Sequence, residues 1–220
     1  MQALPEIISK KDIAMSNSQK ADFKNESNGL NTTTCRTFRL LVPLLLISII
    51  WLQELIDQTF FGGHWNFVMG RGQPWFNLFT SSFSHADFGH LISNTIVFIP
   101  LSWLVLTKGL RDFLSVWSCV LFAKILFLIF WPNPAHGLSD ICFGLFGYLV
   151  TIGILERRLL AIGLSIFTVI LYGHYLPSLI PFFSPPGVSW IGHFSGFVGG
   201  ILGALGIYRE PVENHTNLRS

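Results

Sequence analysis

Six predominantly apolar stretches, each at least 17 residues long, recur along this chain: residues 40–56, 88–106, 113–131, 139–155, 159–176 and 188–208. A helix needs about 20 such residues, within a range of roughly 17–25, to cross the hydrocarbon core of a bilayer. Inside that core no water is available to backbone N–H and C=O groups, so the crossing segments have to be helical. Composition points the same way. Half of the 220 residues are hydrophobic and 12% are charged, against about 25% charged in soluble domains. Mean hydropathy is +0.53. Disorder needs the opposite balance, and an ordinary soluble enzyme could not cover its surface with so few polar groups. A net charge of +2 is too small for a nucleic-acid binder. Cys35, Cys119 and Cys142 cannot build a disulfide framework. The expected fold is therefore all-α: a polytopic membrane protein of six transmembrane helices over residues 37–209. Residues 1–36, which mix both charge signs, are expected to be a mobile tail, and residues 210–220 a second tail.

Basic residues set orientation. With the N-terminus cytoplasmic, the inner side holds Arg36, Arg39, Lys108, Arg111, Arg157, Arg158 and Arg209, and the outer side only Arg71. Both termini are thus expected in the cytoplasm. No apolar signal-peptide core precedes residue 40, and the acids among the first 35 residues do not suit a transit peptide. Lys124 lies within the third span, where it has to snorkel or pair with a buried acceptor. The connection 57–87 is rich in aromatic residues (Phe60, Trp65, Trp75, Phe76); such rings settle at the membrane interface, and partial helix is expected there. The Pro-rich connection 177–187 is a candidate cover beside the last helix.

Polar residues within spans are costly and are functional candidates by default. His90 and Asn94 open the second span, Ser139 the fourth and His193 the sixth. These three spans all run from outside to inside. At 1.5 Å rise per residue, each polar group falls within about 10 Å of the outer boundary. His90 and Asn94, four apart, share a helix face. Ser139 follows Gly137 where a helix begins, among unpaired N–H donors. Gly192, Gly196 and Gly200, with Gly199 and Gly203, let the last helix approach a neighbour closely, and Gly144 and Gly147 offer a partner surface. A serine hydroxyl needs a base to become a nucleophile, an imidazole suits that task, and histidine and amide N–H groups can hold an oxyanion. Each residue alone has a plainer reading: Ser139 as a helix cap, the histidines as hydrogen-bonded core residues, Asn94 as interhelical glue. Their common depth on three helices is what favours a site. His64, His136, His174 and His215 share no spacing that suggests a metal.

The segments FSHADFGHLISN, GLSDICFGLFGY and GHFSGFVGG, in this order on the second, fourth and sixth spans, resemble the rhomboid intramembrane serine proteases over roughly residues 40–208. The resemblance implies Ser139 as nucleophile, His193 as general base, and His90 and Asn94 in the oxyanion hole with the Ser139 N–H. It further implies Phe143 packed on the base, a supporting His85, a membrane-embedded first loop, no metal or cofactor, and transmembrane protein substrates cut near the outer end of their helices. Two positions depart from the pattern. Asp140 stands where glycine usually follows the serine, and Phe76 and Asn77 stand where a Trp-Arg pair is usual. A carboxylate beside an oxyanion slows the chemistry, unless it is turned away to cap N–H groups. That departure leaves a rival reading, a non-catalytic relative that binds transmembrane clients. A small transporter fits less well, since the polar groups sit near one surface and no internal repeat is visible. With no large extra domain in this sequence, a bacterial inner-membrane protein is expected, a eukaryotic organelle being the alternative.

Overall fold

The computed structural model describes residues 17–130, 134–184 and 188–208, with side chains from residue 37 onward except 128–130. The chain divides into two units, Met1–Phe38 and Arg39–Ser220. The described part of the first is helical; the second holds the packed helices and the candidate site described below. Among the described residues seven α-helices run in the order α1 (Asn17–Ile56), α2 (Asn77–Thr80), α3 (Phe88–Lys108), α4 (Leu110–Phe130), α5 (Ser139–Glu156), α6 (Leu159–Tyr172) and α7 (Trp190–Ile207). A π-turn follows α1 at Asp57–Phe61, and 3-10 turns occupy Ser81–Phe83 and Gly173–Leu179. Residues 1–16 and 210–220 of the expected tails, Pro132, Arg209 and residues 185–187 of the Pro-rich connection lie outside the described residues. From Asn17 to residue 36 the backbone is helical; Lys20, Ala21 and Lys24 are good helix formers.

Five helical segments among the described residues are long and apolar enough to cross a membrane: Thr37–Phe61, Phe88–Lys108, Ser139–Glu156, Leu159–Leu179 and Trp190–Ile207. They correspond to five of the six expected spans. The remaining one corresponds to α4, which has the same 21-residue length as α3 but carries Arg111, Asp112 and Lys124. The outer faces expose Ile49, Leu52, Ile96, Phe122, Ile166, Phe167, Ile170 and Leu205. So much exposed apolar surface suits a lipid environment, and the chain is an integral, multi-pass membrane protein.

Local signals place the helix ends. Asp87 caps α3, its Oδ1 accepting the His90 N–H at 2.8 Å. Ser189 caps α7 by accepting the Gly192 N–H. Gly137 turns the chain into α5 with φ +117°, a left-handed conformation that costs glycine little. A Cβ there would also sit 2.7 Å from His90 Cε1.

Helix α5 is the central element, packed against α3, α4, α6 and α7. Two-thirds of its span is buried, against 17% of the α6 span. Phe98, Leu101 and Val105 of α3, Phe113, Val116 and Val120 of α4, and Ile141, Leu145 and Tyr148 of α5 form the core. Glycine governs how α7 joins it. A Cβ on Gly196 would lie 2.1 Å from the Asp140 carbonyl oxygen, and one on Gly200 1.9 Å from that of Gly144. On the adjoining face, a Cβ on Gly199 would meet Val120 Cα of α4 at 2.6 Å. Backbones therefore touch, as small residues permit in lipid. Gly192 differs from the other members of the expected ladder: its nearest neighbours are atoms of its own cap, Ser189.

The connection 57–87 is partly helical and folds on buried polar contacts. Asp57 accepts the Trp65 N–H at 2.7 Å, Asn77 donates to the Val68 carbonyl at 2.8 Å, and Ser84 donates to Asn66 at 2.6 Å. Met69 and Ala135 exchange two backbone bonds, fastening the loop beside the turn into α5. Several of its aromatic rings point outward: Phe60 and Trp75 are about three-quarters exposed, with Phe76 and Phe79 also open, whereas Phe83 turns inward onto Trp117.

Candidate active site

Ser139 begins α5 and His193 lies in the first turn of α7. The glycine contacts just described draw these two helix starts together, and His193 Nε2 lies 3.0 Å from Ser139 Oγ. The imidazole stacks on Phe143, with ring centres 4.4 Å apart and planes at 28°. Phe143 is one turn along α5 from Ser139, so the helix that carries the hydroxyl also supports the ring facing it.

Both residues line a cavity of about 220 Å³ whose other walls include His90, Asn94, Val97, Leu101 and Phe146. His90 and Asn94 thus share the pocket expected of them. Asn94 is 93% buried, and its amide Nδ2 has no hydrogen-bond partner among the described residues. A buried amide donor without a partner costs about 1–3 kcal/mol, so a ligand oxygen in the cavity would be welcome there. A second cavity, of about 380 Å³, reaches Ser139 and His193 from the loop side past His90, His136 and Asp87. Among the described residues no group of three or more His, Cys, Asp or Glu is placed to hold a metal.

The turn that presents Ser139 is held at successive points by residues 81–85. The Ser81 carbonyl accepts the Gly137 N–H at 2.8 Å. His85 Nε2 accepts the Leu138 N–H at 3.2 Å. Ser82 Oγ lies 3.0 and 3.1 Å from the two Asp140 carboxylate oxygens. His85 is fully buried. Burial, with the nearby His90 and His136, pushes its pKa down to about 3. It therefore stays neutral and keeps the lone pair that accepts from Leu138.

Asp140 and Lys124 explain each other. Lys124 Nζ is 2.5 Å from Asp140 Oδ2, with the two side chains 1% and 8% exposed. The ammonium also donates to Ser81 Oγ and Ser82 Oγ, each at 3.0 Å. All three of its protons thus have partners. Asp140 additionally accepts the Ile141 N–H at 2.6 Å. The carboxylate beside Ser139 is neutralised on the spot, which removes the main reason for expecting it to oppose a negative charge developing there. Both residues stand out in the sequence, but no motif there joins them. The available signal was that two opposite charges occur on consecutive spans towards the same membrane face. Ser178 is a further residue that sequence reasoning passed over. Its Oγ lies 3.0 Å from His193 Nδ1, and no pattern in the chain marks it.

These features define a class: a helical membrane protein with a serine–histidine pair beside a cavity at the starts of its helices. A family model for the Rhomboid domain matches residues 72–210. The chain belongs to the rhomboid family. Similar curated proteins include an uncharacterized protein of Mycobacterium tuberculosis, 28% identical over 176 residues covering 73% of this chain and 72% of that one. An uncharacterized protein of Mycobacterium leprae is 28% identical over 196 residues, 82% of this chain and 78% of that one. No solved structure matches the chain.

Proposed function

We propose that this protein is an intramembrane serine endopeptidase that cuts transmembrane protein substrates near the outer membrane face. The observation that carries the reading is the 3.0 Å approach of Ser139 Oγ to His193 Nε2 at the wall of a cavity shared with His90 and Asn94. His193 takes the Ser139 proton as the hydroxyl attacks the scissile carbonyl. The oxyanion is held by His90, the Asn94 amide and N–H groups at the start of α5. His193 then hands its proton to the leaving amine, and water releases the acyl group by the reverse sequence. No metal or cofactor takes part.

The cavity lies between α3 on one side and Tyr172 and Tyr175 on the other, which supports lateral entry of a substrate helix there. A substrate with Gly or Pro near its outer end unwinds at lower cost, because glycine gains more backbone freedom on unwinding and proline has no N–H to give up. On this reading α4 also crosses the membrane, as the third of six spans, both termini are cytoplasmic, and the membrane is a bacterial plasma membrane. The charge asymmetry and the mycobacterial origin of the similar proteins support it. A client-binding protein without catalysis drew its support from Asp140, and the Lys124 pair withdraws it.

Active-site labelling tests the proposal. A fluorophosphonate is expected to modify the purified wild-type protein at Ser139, and to leave Ser139→Ala unlabelled. His193→Ala should label at least about 100-fold more slowly. Equal labelling of wild type and Ser139→Ala would overturn the assignment.

A further inference from the structure

We propose that Ser178 is a positioning residue that holds His193 in the tautomer able to act as a base; this rests on the protease reading above. Ser178 lies in the 3-10 turn Gly173–Leu179 between α6 and α7. Its Oγ makes two contacts: 2.7 Å to the Tyr175 carbonyl oxygen and 3.0 Å to His193 Nδ1. A hydroxyl has one proton. A carbonyl oxygen can only accept, so at 2.7 Å that proton lies between Ser178 and Tyr175. Towards His193 the hydroxyl then offers a lone pair, and Nδ1 carries the hydrogen.

A neutral imidazole has one N–H, so Nε2 is left with its lone pair facing Ser139 Oγ at 3.0 Å. The other tautomer is disfavoured at both ends. It would turn the Ser178 O–H towards Nδ1, as donor to that nitrogen, and set oxygen lone pairs of Ser178 and Tyr175 against each other at 2.7 Å. It would also point an N–H at Ser139, which could no longer give up its proton. Phe143 fixes the plane of the ring and Ser178 fixes its rotation within that plane. The chain Ser139–His193–Ser178–Tyr175 is thus a relay of hydrogen-bond direction in which a neutral hydroxyl sits where other serine hydrolases place a carboxylate. Where a third residue sets the tautomer, the wrong one costs up to about 10⁴ in kcat. A neutral partner stabilises the imidazolium less, so a smaller factor is expected here.

The test compares wild type with Ser178→Ala, Ser178→Thr and Ser139→Ala, all as full chains in detergent micelles. The probe is a fluorophosphonate, read as kinact and KI separately. Ser178→Ala is expected to lower kinact by about 10- to 100-fold with KI unchanged, and Ser178→Thr, which keeps the hydroxyl, to restore it to within a few-fold. Nitrogen-15 spectra of histidine-labelled Ser139→Ala protein need no turnover. They should report His193 protonated at Nδ1, and a mixture of tautomers once Ser178→Ala is added. Wild-type kinact in Ser178→Ala, a change confined to KI, or protonation of His193 at Nε2 would each overturn the proposal. Undiminished labelling of Ser139→Ala would instead overturn the dyad on which it rests, and the nitrogen spectra would still read the Ser178 contact by itself.

Discussion

Lys124→Met is expected to destabilise the protein by about 3–5 kcal/mol, and Asp140→Gly by a comparable amount. Each single change leaves one charge in a site that is almost fully closed. The Lys124 ammonium has its three protons on Asp140, Ser81 and Ser82; without Asp140 the strongest acceptor is gone and water cannot replace it. The double variant Lys124→Met/Asp140→Gly removes both charges and should recover most of the loss, because an apolar replacement of a buried pair is often close to neutral. A thermal or denaturant midpoint in micelles, run as a double-mutant cycle, measures the coupling. An unpaired carboxylate at this position would instead make Asp140→Gly the faster enzyme, freed of an unfavourable charge. With Lys124 in view the variant is expected to label more slowly, since the same pair anchors Ser82 beside the nucleophile. Wild-type stability of either single variant would contradict the account of the pair.

Gly200→Val is expected to abolish labelling of Ser139, with a loss of at least about 100-fold. The Cβ alone would stand 1.9 Å from the Gly144 carbonyl oxygen and 2.8 Å from the Tyr148 nitrogen. Those neighbours are helix backbone, which cannot rotate aside as a side chain can, so α7 has to move away from α5. His193 rides on α7 and Ser139 on α5. A displacement of about 1 Å in a reacting pair costs on the order of 100-fold in rate, and this clash demands at least that much. Gly206→Ala is the matched control, since a Cβ there meets nothing within 4 Å. It should label at the wild-type rate. A Gly200→Val protein that labels normally would show that the α5–α7 contact does not set the position of the base.

Much of this architecture was legible in the chain because membrane helices announce themselves by length and apolarity. The spans at 88–106, 139–155 and 188–208 fall within or close to α3, α5 and α7. The glycines at 196, 199, 200 and 203 lie where backbones meet. Ser139, His193, His90 and Asn94 stood out because polar groups in lipid need a reason, and all four line one cavity. The contacts that depend on loop conformation were not legible. Ser178 is an ordinary serine until the turn 173–179 folds it against His193. His85 was expected only as a supporting residue, and its acceptance of the Leu138 N–H depends on how residues 81–85 return to the start of α5. Gly192 shared the four-residue spacing of the ladder, yet it precedes the point where α7 closes on α5. Periodicity identifies a face but not where along it the partner begins.

The most direct test of the central claim is proteolysis in a bilayer. The protein is reconstituted into liposomes with a single-span helical test substrate carrying glycine near its outer end, and the cut site is read by mass spectrometry. The account predicts one cut in the outer half of the substrate helix with wild type. It predicts a loss of at least about 10³-fold in both Ser139→Ala and His193→Ala. Cleavage by Ser139→Ala at the wild-type rate, or a cut at the inner end of the helix, would contradict it.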